Sequence, residues 1–219
     1  MANNRSSATM ALARYLPLPI EITGPVIISG DETSLTVGLL AGLQVVRPGQ
    51  PLLVVDGANA FDPFLVATLA RKSGIAPKLV LDEIRISRVF TCHQFEALLR
   101  GRLQSSLKQF GGKAVLFSGL LDALLDEEVP LKEAIRIFNH IPPVLKGLAV
   151  EGVMALCVCP PLAVPLGRER FLATLNEAAV WTFKVTQQGE VVQITCTKPR
   201  PATWTWQPEI GMLAARRWS

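Results

Sequence analysis

Short apolar runs alternate with longer stretches in which apolar residues recur at helical spacing, and this alternation organises most of the chain. Val26 to Ile28 reads as a first strand and Thr36 to Val46 as a helix, with Arg47 to Gln50 as a turn. Leu52 to Val55 is a second buried strand. Asp62 before Pro63 opens a helix, because an acidic cap and a proline at the first position suit its unpaired amides. Arg71 and Lys72 sit at the negative end of that helix and Gly74 closes it. Ile84 to Arg88 is a third strand. Thr91 and Gln94 form a capping-box pattern for a helix running to Phe110, which Gly111 and Gly112 end. Ala114 to Phe117 is a fourth strand. A helix from Pro130 must bend or stop at Pro142 and Pro143, which cannot donate to its ladder. Gly152 to Val158 is a fifth strand, and Arg168 to Glu177 is helical. The pattern then changes: Trp181 to Val185, a turn at Gln187 to Gly189, and Val191 to Thr197 read as a hairpin, with Thr203 to Trp206 as a further strand. The sum is an α/β fold with a mainly parallel central sheet, flanking helices and a C-terminal antiparallel hairpin.

Composition narrows this picture. Of 219 residues, 49% are hydrophobic and 18% charged, which excludes intrinsic disorder. The mean hydropathy of +0.34 fits a sheet buried on both faces, since no apolar run approaches the ~20 residues of a membrane span. The N-terminal stretch lacks the continuous apolar core of a secretory signal, so the expectation is a cytoplasmic protein with a flexible segment over 1–19, a core over 20–212 and a basic tail over 213–219. Cys92, Cys157, Cys159 and Cys196 read as buried structural thiols, and no metal site is expected. The net charge of +4 permits contact with nucleic acid without requiring it.

Particular stretches carry a likeness to a known family. These are Leu52 to Pro63, Gly74 to Pro77 with Val80 to Asp82, Ile84 to Phe90 followed by His93-Gln94, and the closing hairpin with Lys198 to Pro201 and Trp204 to Gly211. Over roughly residues 20–212 the chain resembles the core domain of archaeal RadA-type recombinases and their eukaryotic relatives. The resemblance implies a RecA-like P-loop fold, ATP chemistry at the end of the first strand, and side-by-side assembly of cores.

Set against that pattern, the catalytic residues are missing. A phosphate loop needs glycines for the wrapping backbone, a lysine for the phosphate charge and Ser or Thr for magnesium. The corresponding segment is Ser29, Gly30, Asp31, Glu32, Thr33, Ser34, Leu35 and Thr36. Ser29 and Ser34 stand at the framing glycines, Leu35 at the lysine, and only Thr36 survives as a metal contact. Asp31 and Glu32 place carboxylates where phosphates belong, and like charges repel. Ala58 occupies the position of the water-activating glutamate and Ser118 that of the magnesium-supporting aspartate, while Asp122 is expected to face elsewhere. The loop therefore reads as an ordinary polar turn, no cofactor is expected, and ATP hydrolysis as lost.

Other candidates are weaker. His93 reads as structural and Asp56 as a ligand contact or a turn cap at a strand's carboxyl end. The family's DNA-binding loops correspond to the acidic Leu125 to Pro130 and to the proline-rich Pro160 to Arg170, with Arg168 and Arg170. Trp204, Trp206, Arg216, Arg217 and Trp218 combine aromatic faces with cations, which suits base stacking, a protein interface or sheet-edge packing. The reading is a non-catalytic RecA-like adaptor or scaffold for DNA recombination or repair, partnered by another RecA-like protein or by itself. The alternatives are a divergent ATPase completed by a partner and a module that binds single-stranded DNA.

Overall fold

The computed structural model describes residues 24–207, so the segment 1–19 and the tail 213–219, with Arg216, Arg217 and Trp218, lie outside the described residues. Among the described residues one sheet of eight strands runs in the order β3-β2-β4-β5-β1-β6-β7-β8. The strands are β1 (Pro25–Gly30), β2 (Leu52–Asp56), β3 (Ile84–Arg88), β4 (Ala114–Ser118), β5 (Met154–Cys159), β6 (Trp181–Gln188), β7 (Val191–Lys198) and β8 (Ala202–Trp206). Every pairing from β3 across to β6 is parallel, and β6, β7 and β8 pair antiparallel.

The direction of travel decides which face each helix covers. From β1 the chain steps toward the β3 border through α1 (Thr33–Val45), α2 (Pro63–Lys72) and α3 (Pro77–Leu81). It then returns through α4 (Cys92–Ala97), α5 (Leu103–Phe110), α6 (Leu131–Phe138), α7 (Ile141–Val150) and α8 (Phe171–Ala178). Crossovers of one hand that travel in opposite directions must lie on opposite faces. Strand alternation serves both layers. Val26, Ile28, Val54, Leu116 and Leu156 pack with α1 to α3, while Ile27, Val55, Phe117, Ala155 and Cys157 pack with α4 to α8.

Capping chemistry sets the boundaries as expected at α2. The Asp62 carboxylate accepts from the amides of Phe64 and Leu65 at 2.8 and 3.1 Å, and Pro63 opens the helix. Differences arise where prolines or tertiary contacts act. The 131–150 stretch breaks at Asn139 and His140, before the prolines, because Pro142 and Pro143 fit the first turn of a new helix, where no amide is needed. Pro77 starts the short helix α3 in the same way, within a stretch expected to be a link. Between α4 and α5 the helix widens into a π segment over Leu98–Arg102. Helix α8 begins at Phe171 rather than Arg168, because Arg168 is drawn inward, as described below.

Candidate functional site

In an open parallel sheet, ligands sit beyond the carboxyl ends of strands whose connections leave to opposite faces. Here those crevices lie between β1 and β5 and between β2 and β4, with a third between β2 and β3 bridged by the Val89 amide donating to the Asp56 carbonyl at 3.2 Å. The first is occupied by the turn from β1 into α1. Of the segment expected as a loop, Ser29 and Gly30 end β1, Asp31 and Glu32 make the turn, and Thr33, Ser34, Leu35 and Thr36 are already helix.

That turn is fastened to β6. Gly30 has φ +122°, and a Cβ there would lie 1.9 Å from the Val185 carbonyl oxygen, so only glycine lets β6 pass. The Asp31 amide donates to that carbonyl at 2.9 Å, and the Asp31 carboxylate accepts from the Gln187 amide at 2.7 Å. Thr33 Oγ1 donates to Gln187 Oε1. The amides of Ser34 and Leu35 donate to the carbonyls of Asp31 and Glu32 at 2.8 and 3.1 Å. Two of the donors a phosphate at a helix N-terminus would use are thus spent within the turn. Thr36 is 1% exposed, and neither its hydroxyl nor that of Ser34 has a hydrogen-bond partner among the described residues.

The second crevice is closed by backbone. The amides of Gly57 and Ala58 both donate to the Ser118 carbonyl, at 2.8 and 2.9 Å. The sequence-predicted positions 58 and 118 are thus brought together, but as a methyl group and a buried seryl residue rather than as carboxylates. Gly119, at φ +72°, keeps this junction tight, since a Cβ would meet Ala58 at 2.7 Å. Asp122, expected to face elsewhere, instead turns its carboxyl group back over Gly119. Asp56 is 0% exposed and accepts from the amides of Ala60 and Phe61 at 3.0 and 3.2 Å, with Arg88 Nε at 3.8 Å. It is the cap of its turn.

The remaining candidates are separated from this edge. His93 Nδ1 lies 3.5 Å from Glu133 in an ion-pair network that joins α4 to α6. At its centre the buried Glu96 carboxylate takes two bonds of 2.6 Å from Arg136, whose guanidinium also bonds Glu133. Those hydrogen bonds hold the Glu96 carboxyl at about 2, against the opposing effect of burial. The side-chain ligand atoms of His93, Glu96 and Glu133 come within 4.8 Å of one another, and the single charge of Arg136 is shared between the two carboxylates. This arrangement works as an ion-pair network that ties α4 to α6. All four cysteines are free and buried, and burial raises the thiols of Cys157 and Cys159.

Arg168 and Arg170 part company. Arg168 is 4% exposed, and its guanidinium donates to the carbonyls of Leu124 at 2.7 Å, Asp126 at 2.6 Å and Val129. It clamps the loop after β4 to the loop after β5 and presents nothing to a phosphate backbone, whereas Arg170 is exposed. Trp204 and Trp206 are half-buried against the core on the α1 side, with the Trp204 ring 6.3 Å from Phe183, and thus pack on the sheet.

Sequence reasoning missed one feature. At the β3 border a groove of about 690 Å³ runs between the outer strand and α4 to α5, lined among others by Arg85, Ile86, Arg88, Arg102 and Phe110. Ile86 is 44% exposed, and β3 pairs only with β2 among the described residues. The alternation of Ile84-Arg-Ile-Ser-Arg88 is a sequence signal of a strand with one polar face, but its place at the border depends on strand order. No protein-family model matches the chain, and neither does any curated protein.

Proposed function

We propose that this chain is a non-catalytic RecA-like core of P-loop ancestry that acts as an adaptor or scaffold through protein contacts in DNA recombination or repair. The observation that carries the reading is the turn Asp31–Glu32: the Asp31 amide and carboxylate bond β6, and the turn's carbonyls take the Ser34 and Leu35 amides, in the crevice where such a sheet would hold a phosphate. The methyl group at Ala58 and the hydroxyl at Ser118 support the same conclusion, because phosphoryl transfer depends on positioned charge that neither supplies. The recombination setting comes from the likeness of Leu52 to Pro63 and Ile84 to Phe90 to RadA-type cores.

A scaffold needs a surface left for others, and the β3 border offers one. A strand edge exposes unpaired amides and carbonyls that a further chain can pair with. Ile86, exposed on the face it shares with Ile84, offers apolar contact, while Arg85 and Arg102 in the groove on the opposite face offer orientation. The partner is another RecA-like protein or a second copy.

Calorimetric titration with ATP and magnesium tests the first half of this reading: no heat and no thermal stabilisation are expected, and micromolar magnesium-dependent binding would overturn it. Sedimentation of the chain alone and with RecA-like proteins tests the second half. Association is expected in one of the two settings, and a strict monomer in both would refute the scaffold.

A further inference from the structure

We infer that the face formed by the loops after β4 and β5 docks a basic, amphipathic protein segment. This face lies apart from the β3 border, and the inference does not depend on the adaptor reading.

The first ground is rigidity. The loops at Leu125 to Pro130 and Pro160 to Gly167 are held as one unit, because the buried Arg168 guanidinium bonds the carbonyls of Leu124, Asp126 and Val129. Gly167 fixes the join from the other side: its missing Cβ would fall 2.7 Å from the Leu131 side chain. Prolines at 130, 160, 161 and 165 stiffen both loops further. A surface already ordered loses little conformational freedom on binding.

The second ground is apolar exposure. Leu166 is 90% exposed and Val164 50%, and across the Gly167 contact lie Leu131 at 40% and, one helical turn along, Ile135 at 39%. Large aliphatic side chains grouped around one join, rather than scattered singly, mark an interaction surface.

The third ground is charge, and it chooses the occupant. Asp126, Glu127 and Glu128 are exposed at the margin of this patch and Glu169 beside Gly167. Against these four carboxylates, among the described residues there, stand only the exposed Lys132 and Arg170, so the margin is net acidic. A nucleic-acid backbone would meet these carboxylates directly and would find Arg168 inaccessible. A segment with aliphatic anchors on one face and lysines or arginines on the other satisfies both halves of the surface.

The test is a titration of the isotope-labelled full chain, followed residue by residue by nuclear magnetic resonance. The probes are a synthetic leucine–lysine amphipathic peptide, a leucine–glutamate peptide of the same spacing, and oligothymidylate, all at physiological salt. The leucine–lysine peptide is expected to bind and to shift Leu131, Ile135, Val164 and Leu166. Leu166→Glu, at a solvent-exposed position, and the charge reversal Glu127→Lys with Glu128→Lys are each expected to weaken binding about tenfold, the loss of one anchor or of the guiding field. Equal binding of both peptides, shifts confined to other residues, or oligothymidylate shifting these same residues would overturn the inference. So would self-association of the chain that Leu166→Glu abolishes, because the occupant would then be a second copy.

Discussion

The centre of the sheet's carboxyl edge and its β3 border treat polar groups in opposite ways. At the centre, Asp31, Asp56, and the amides of Ser34, Leu35, Gly57 and Ala58 all bond within the chain. At the border, β3 has a partner on one side only among the described residues, and Ile86 and Arg88 stand exposed beside the groove. Donors bonded internally must be freed before they can hold a ligand, while those at an open edge need only lose water. The comparison therefore separates a closed position from an available one, and substitutions on either side should respond differently.

The largest effect is expected at the closed centre. Gly30→Ala adds a Cβ 1.9 Å from the Val185 carbonyl at φ +122°, so overlap and backbone strain add. A loss of ~4 kcal/mol is expected, read as a lower melting temperature. Wild-type melting would mean that β6 does not hold the turn. Arg168→Met comes next. It leaves the buried Leu124 carbonyl and the part-buried carbonyls of Asp126 and Val129 without their donor, and a loss of ~2 kcal/mol in denaturant unfolding is expected. An unchanged midpoint would show that the two loops do not depend on this clamp.

Acid distinguishes the network behind the groove. Glu96 has its folded carboxyl lowered from 4.5 to about 2, so its ionised form is the one the fold favours. Its contribution is complete above pH 4.5 and is lost as pH falls toward 2. Glu96→Gln removes that contribution, so the variant is less stable at neutral pH and its stability falls less over this window. Acid titration followed by circular dichroism checks the sign. Parallel curves for the two proteins would remove Glu96 from the account.

Much of this architecture is legible in the residues. Asp62-Pro63, Thr91 with Gln94, and Gly111 mark helix ends by local chemistry, and the structure places caps and boundaries there. Strand runs such as Leu52 to Val55 are legible because burial on both faces demands unbroken apolar sequence. The altered phosphate segment is legible as a change of residue types, but its closure is not. The contact between Asp31 and Gln187 spans 156 positions, and no local pattern announces it. Arg168 shows the same limit: a surface-loop composition surrounds it, yet its partners lie 39 to 44 positions earlier. Local signals fix elements, whereas the site is made of contacts distant in sequence.

Thr36 sharpens the contrast with a smaller effect. Its hydroxyl is buried without a partner among the described residues, a state that costs free energy for no bond. Thr36→Val keeps the shape and removes the unpaired group, so a gain of ~1 kcal/mol is expected in denaturant unfolding. Destabilisation by the same change would show that the hydroxyl serves the fold or a ligand.

The smallest change in stability is expected at the border, and it is the most informative. Ile86 projects from an outer strand and is 44% exposed, so Ile86→Asp removes little buried surface. Melting should shift by no more than ~0.5 kcal/mol equivalent, as for surface substitutions generally. Association measured by sedimentation should nevertheless be lost, because a carboxylate would stand beside the incoming strand's side chains on that face, where an aliphatic side chain stood. If association persists unchanged, the partner sits elsewhere and the β3 border is an ordinary edge. If melting falls as far as in Gly30→Ala, Ile86 belongs to the core and the contrast between closed centre and open border fails. A stable variant that no longer associates would assign the border to contacts between chains and the centre to the chain's own stability.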